Sequence, residues 1–196
     1  MGVAEVGLTA LAGALENAAA SSPNLDEALI AWKDALGAEN VVQSRAIRQQ
    51  AAAATFAVDH RVPCILRPDN TSQVQQCMRI AARFRVPVYP VSRGRNWGYG
   101  SSAPSSDGCA LLDLSRMNRI LDYNENLAYV TIEPGVTQGQ LFQFLTERGG
   151  KLWMDATGAG PEASVVGNVL ERGFGHTPYG ERISNTSSAS MPRSPV

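Results

Sequence analysis

At 196 residues, with 44% apolar side chains, the chain is long enough to bury one core of its own. Its 17 Lys and Arg against 18 Asp and Glu leave a net charge of −1, which removes the electrostatic case for a nucleic-acid or membrane-surface partner. Cys64, Cys77 and Cys109 are odd in number and scattered, so they spell neither a disulfide framework nor a zinc site and read as thiols of a reducing compartment.

The opening stretch is rich in Ala and Leu, yet Glu5 and Glu16 interrupt it and no Lys or Arg precedes Lys33. It therefore reads as neither a signal nor a transit peptide, no apolar run approaches a membrane span, and the expectation is a soluble cytoplasmic protein. Asn24 followed by Glu27 is a capping-box pattern that opens a helix through Leu25, Leu29, Trp32 and Leu36, stopped by Gly37. Asp26 and Glu27 fall in its first turn, where the helix dipole explains them. Residues 1–60 as a whole read as an alanine-rich helical arm.

The pattern changes from Val62. Cys64-Ile65-Leu66 predicts a short buried strand, and Pro68 with Asn70 marks the turn into a helix whose apolar stripe is Val74, Cys77, Met78, Ala81 and Phe84. A further strand up to Val91 completes a βαβ-like unit. Next comes Ser92-Arg93-Gly94-Arg95-Asn96-Trp97-Gly98-Tyr99-Gly100. Its glycines allow positive φ and close approach, so successive amide N–H groups can converge on an anion with two guanidinium groups alongside. The run reads as a cradle for a dinucleotide's phosphates, against the alternative of an Arg/Gly-rich surface loop. Gly94 is the position expected to need positive φ.

Cys109-Ala110-Leu111-Leu112 and Leu127-Ala128-Tyr129-Val130-Thr131-Ile132 are strand-like, the second ending in a Pro134-Gly135 turn. Thr137 with Gln140 caps a helix carrying Leu141, Phe142 and Leu145, closed by Gly149-Gly150. A second glycine-rich region runs from Lys151 to Gly180. Its Gly158-Ala159-Gly160-Pro161-Glu162-Ala163 string matches a relaxed nicotinamide fingerprint, but no strand with an acidic end follows, because 183–196 is rich in Ser and Pro. The region instead predicts a second backbone wall for the same ligand, built around a short helix at Ser164 to Leu170. His60 and His176, the two histidines, sit in no nucleophile motif and no metal cluster.

Taken in order, the loop from Arg93 to Gly100 with its trailing Ala103-Pro104, the run Val130-Thr131-Ile132-Glu133-Pro134-Gly135-Val136-Thr137, the Lys151-Leu152-Trp153-Met154-Asp155 strand, and Val166-Gly167-Asn168-Val169-Leu170-Glu171-Arg172-Gly173 through Thr177-Pro178-Tyr179-Gly180 resemble the FAD-binding domain of the vanillyl-alcohol oxidase and p-cresol methylhydroxylase flavoproteins. The likeness covers residues 62–184. It implies an α+β fold, namely the first α/β subdomain of a PCMH-type FAD-binding domain preceded by the helical arm. The implied layout is an arm over 1–60, an incomplete FAD-binding domain over 61–185 and a disordered-like tail over 186–196.

The resemblance implies FAD as cofactor, with Arg93, Gly94, Arg95, Asn96 and Gly98 on its pyrophosphate, mostly through backbone amides. Thr157, Ser164, Val165, Gly167, Asn168, Glu171, Gly173, Tyr179 and Gly180 would line the rest of it. Tyr99 matches a tyrosine that helps bind the phenolic oxygen of 4-hydroxylated aromatic substrates, favouring quinone-methide formation as hydride leaves for flavin N5; packing within its own loop is the alternative reading. Where vanillyl-alcohol relatives carry an acidic residue three positions after Asp155, this chain has Gly158. Where some flavoproteins attach FAD through a first-loop histidine it has Arg95 and Asn96, so no covalent link is expected there. The implied activity is oxidation of 4-hydroxylated aromatic alcohols and alkylphenols by hydride transfer to the flavin, the alternative being a truncated, inactive FAD- or nucleotide-binding fragment. The expected partners are a small aromatic substrate and, to complete the site, a second copy or a partner supplying the C-terminal domain.

Overall fold

The structure is a computed structural model describing residues 23–57, 59–95 and 102–171. Helix α1 spans Pro23–Leu36. Its first described residue is a proline, which has no N–H to leave unsatisfied in a first turn, so Asn24 lies inside the helix and does not cap it as the sequence suggests. Gly37, at φ +86°, ends the helix where expected. Trp32 is fully buried, and its indole N–H donates to the Cys77 carbonyl at 3.2 Å. That bond ties α1 to α3, Thr71–Phe84, which Asn70 caps by accepting from the Gln73 N–H at 2.9 Å.

Four strands form the first sheet: β1, Val41–Val42; β2, Ile65–Leu66; β3, Val88–Val91; and β4, Ala110–Asp113. Their order is β1-β2-β4-β3, with β1 antiparallel to β2 and both β2 and β3 parallel to β4. Strand β4 thus inserts between the two strands of the βαβ unit. Strand β1 arises within the stretch read as a helical arm, and α1 packs on the same core through Ala28, Leu29, Trp32 and Leu36. A helix α2, Arg45–Ala52, follows β1.

The second layer is a hairpin of β5, Ile120–Asn124, and β6, Tyr129–Ile132, covered by α4, Gln138–Glu147. Thr137 caps α4 by accepting from the Gln140 N–H at 3.1 Å, as its sequence predicts. Val130, Val136, Leu141, Leu145, Leu152 and Val165 form this layer's core.

Four local expectations are corrected. Met78 and Phe142, placed on apolar stripes, are 48% and 65% exposed; Cys77 and Ala81 carry the buried face of α3, and Phe144 packs inward in place of Phe142. Leu127 and Ala128 belong to the hairpin turn, Ala128 at φ +53°, so β6 starts at Tyr129. Strand β5 is an addition, hidden in the sequence by Asp122 and Asn124, which interrupt its apolar residues. Residues 151–155 form no strand, although Leu152 is buried.

The three cysteines are buried and free. Burial pushes the Cys64 thiol up to about 12 and the Cys77 thiol to about 11, so neither is a thiolate at neutral pH. Among the described residues, no helix is long and apolar enough to cross a membrane.

Two carboxylates tie distant segments together. Asp107 accepts from the Arg61 guanidinium at 2.9 Å and from the Arg61 N–H at 2.6 Å, and the guanidinium contact leads in holding it down at about 2. Glu133 accepts from the Arg119 guanidinium at 2.6 Å and the Arg119 N–H at 2.8 Å and is also held below its ordinary value, first by that side-chain bond. Both lie lower folded than unfolded. Their contribution is therefore complete above the ordinary carboxylate range and lost as pH falls through it, for Asp107 toward about 2. Thermal melts taken from neutral into acid pH should show a falling midpoint. The Asp107→Asn, Glu133→Gln double variant should start lower and fall less steeply; an equal slope would show that other groups carry the acid sensitivity.

Candidate functional site

The parallel edge of the first sheet ends at Val91, and the chain turns directly into Ser92-Arg93-Gly94-Arg95. Clefts that take ligands in α/β sheets lie outside such carboxyl ends. Gly94 adopts φ +62°, and a Cβ built there would stand 3.0 Å from the Ser102 Cβ. The expectation of positive φ holds, and the space beside the glycine is closed by the returning chain. His60 lies behind this return, its Nδ1 2.9 Å from the Pro104 carbonyl oxygen, in a structural contact.

The opposite wall comes from 157–171. Residues 160–165 lie alongside 136–139, through the Gln138 N–H on the Ala163 carbonyl at 2.9 Å, the Gly139 N–H on the Pro161 carbonyl at 2.8 Å and the Val165 N–H on the Val136 carbonyl at 3.2 Å. Ser164 then opens α5, Val165–Leu170, the short helix the sequence predicts. Its hydroxyl accepts from the Gly167 N–H at 2.9 Å and donates to the Pro134 carbonyl at 2.7 Å. A Cβ on Gly167 would lie 3.5 Å from the Ser92 Oγ, so the two walls meet at these residues. Ser164→Ala removes both the cap and the tie to Pro134, and a loss of about 1–2 kcal/mol is expected, read by chemical denaturation. A loss below a few tenths would show that backbone pairing alone fixes the wall.

Between the walls lies a cleft of about 170 Å³. Of the residues singled out from sequence, Arg93, Gly94, Arg95, Ser164, Gly167, Asn168 and Glu171 line it, together with Tyr89–Ser92, Ala159, Ala163 and Leu170. Val165 and Thr157 do not. The Val165 side chain is buried in the second core, and Thr157 is held by Gln138, whose amide donates to the Thr157 Oγ1 at 2.8 Å and accepts from the Thr157 N–H at 2.9 Å. Asn96, Gly98, Tyr99, Gly173, His176, Tyr179 and Gly180 lie outside the described residues.

Gln138 and Glu133 are the residues that sequence reasoning missed. Gln138 is 6% exposed, and it shares the buried face of α4 with Leu141 and Leu145. A lone amide at that spacing is the available signal, because a buried amide needs a partner. Glu133 leads directly into the Pro134 carbonyl that Ser164 uses, so its grip on Arg119 anchors the turn behind the second wall.

Charges at the cleft are mixed. Arg93 donates to the Glu162 carboxylate at 3.1 Å, joining one wall to the other, while Arg95 and Glu171 both line the cleft. The residues present fit a diphosphate: a glycine whose Cβ would be blocked brings the backbone close, and guanidinium groups stand beside it. The volume matches one section of a dinucleotide, small against the ~300–1,000 Å³ of sites that enclose a whole drug-sized ligand.

Comparison with known proteins gives the chain a family. A family model described as an FAD binding domain matches residues 41–187. The chain is 51% identical over 161 residues to the 1'-carboxy-chondrochloren decarboxylase of Chondromyces crocatus, covering 82% of this chain and 30% of that one. It is 36% identical over 124 residues to the 4-cresol dehydrogenase (hydroxylating) flavoprotein subunit of Pseudomonas putida, covering 63% of this chain and 24% of the relative. Among solved structures, p-cresol methylhydroxylase with substrate bound superposes with a TM-score of 0.78 at 30% identity, over 82% of this chain and 32% of that one. The chain thus spans no more than about a third of these proteins' length. The resemblance read from the motifs and the α+β class are both borne out.

Proposed function

The chain belongs to the FAD binding domain family, and from that membership we propose that it forms the cofactor-holding part of an FAD-dependent oxidoreductase acting on 4-hydroxylated aromatic alcohols or alkylphenols. The observation that carries this reading is the cleft at the end of β3, where Gly94 at φ +62° faces the start of α5. FAD, when bound, supplies a hydride acceptor. Arg93 and Arg95 offset the charge of its diphosphate, and Gly94 admits it to the backbone. Ser164 fixes the opposite wall through Pro134. Asn168, Gly167 and Glu171 line the same cleft from that wall. Asn96, Gly98, Gly173, Tyr179 and Gly180 are assigned to the remainder of the cofactor and Tyr99 to the substrate's phenolic oxygen. Names of relatives support the substrate class, since one is a 4-cresol dehydrogenase subunit and another p-cresol methylhydroxylase.

A second reading keeps the cofactor and changes the reaction. The relative at 51% identity is named a decarboxylase of a carboxylated substrate, so loss of a carboxylate from an aromatic acid competes with oxidation at a benzylic carbon.

The test has two stages. The 196-residue chain, mixed with FAD and desalted, should retain flavin absorbance. Absence of retained flavin would remove the cofactor assignment. A retained flavin that bleaches anaerobically with a 4-alkylphenol indicates oxidation, and carbon dioxide release from a carboxylated phenol indicates the decarboxylase reading. Binding without either reaction leaves a cofactor-holding fragment.

A further inference from the structure

We propose that Glu162 is a built-in competitor for Arg93, which an incoming diphosphate must displace. This rests on the reading that the cleft takes the diphosphate of FAD. Among the described ion pairs, Arg93 with Glu162 is the one that joins the two segments forming the walls of the cleft, at 3.1 Å and across 69 positions of sequence. The partners are unequally placed: the Arg93 side chain is 26% exposed and that of Glu162 62%.

That asymmetry decides which partner gives way. Arg93 lines the cleft wall and stays in position, whereas the Glu162 carboxylate can turn into water at little cost, because exposed pairs are weak. A diphosphate brings more charge and more acceptor oxygens to the same guanidinium than one carboxylate does. Glu162 thus satisfies Arg93 before the ligand arrives, and a diphosphate binds at the small cost of breaking that pair.

Flavin fluorescence titrations of the parent, Glu162→Gln, Arg93→Gln and the double variant test this, with riboflavin as the phosphate-free control. Glu162→Gln should tighten FAD by about twofold to fivefold at low salt, and the gain should shrink as ionic strength rises. It should leave riboflavin unchanged and vanish on the Arg93→Gln background. Glu162→Ala should act with the same sign, and melting midpoints confirm that each variant is folded. Weaker or unchanged FAD binding by Glu162→Gln would overturn the proposal and identify Glu162 as a strut or a bystander, as would an equal gain without Arg93. If the parent binds no FAD, the cofactor reading fails with it; if the parent binds and Glu162→Gln has no effect, this inference fails alone.

Discussion

Gly94→Val is expected to abolish FAD retention while leaving most of the fold's stability in place. Two independent penalties coincide at this position. The backbone sits at φ +62°, a region that costs a side-chain-bearing residue roughly 1–2 kcal/mol and a β-branched one more. The added Cβ would also stand 3.0 Å from the Ser102 Cβ, with the valine methyl groups beyond it. Both penalties are relieved if the turn after β3 swings away from Ser102, and that movement opens the cleft where the diphosphate needs close backbone. The cores do not include Gly94, being built from residues such as Trp32, Leu66 and Ala110 on one side and Val136 and Leu141 on the other. Far-ultraviolet circular dichroism should accordingly be unchanged, with a melting midpoint slightly lowered. Flavin absorbance after desalting should be absent. Parent-like flavin content would show that the loop does not cradle the phosphates.

Why some of these positions were legible in sequence and others were not follows from where the information resides. Local rules suffice for Asn70, Thr137 and Ser164: each is a short polar side chain before a helix, and each accepts from an N–H three residues on. Gly94 was legible for a related reason, since a glycine between two arginines after an apolar strand has few uses besides an unusual backbone angle. The failures all depend on distant partners. Met78 and Phe142 satisfy helical periodicity, but whether a stripe position is covered is set by the layer above it, and these two stay 48% and 65% exposed. Insertion of β4 between β2 and β3 is decided by which apolar edges meet, as is the recruitment of Val41–Val42 to the sheet. The setting of Thr157 was not legible either: a buried amide 19 positions earlier donates to its hydroxyl oxygen and accepts from its N–H. Thr157 satisfies both polar atoms of the Gln138 amide on a buried helix face, as a buried amide requires.

The largest loss of stability is expected from Gly135→Ala, at a position where conformational freedom is not the issue. A Cβ there would stand 2.7 Å from each of three carbonyl oxygens, those of Leu114, Ser115 and Met117. None can rotate away, because all are backbone; the Gly135 N–H is also bonded to the Met117 carbonyl at 2.7 Å, and the Met117 N–H to the Leu114 carbonyl at 3.0 Å. Relief therefore requires the turn at 114–117 and the Pro134-Gly135 turn to separate. The cost is set at about 3 kcal/mol, the upper end for overpacking a site that cannot flex. Gly149 supplies the contrast. It adopts φ +60° with nothing within 4 Å of a built Cβ, so Gly149→Ala carries only the strain of the left-handed region, about 1–2 kcal/mol. The two variants also differ in reach. Separation at Gly135 displaces the Pro134 carbonyl that holds Ser164, and the second wall of the cleft moves with it, so FAD retention should fall together with stability. In Gly149→Ala the wall is untouched and retention per folded molecule should match the parent. Urea denaturation and flavin content measured on the same samples decide it. A Gly135→Ala loss no greater than that of Gly149→Ala would mean that the crowded turn relaxes freely, and normal flavin retention in a destabilised Gly135→Ala would sever the link from this turn through Ser164 to the cleft.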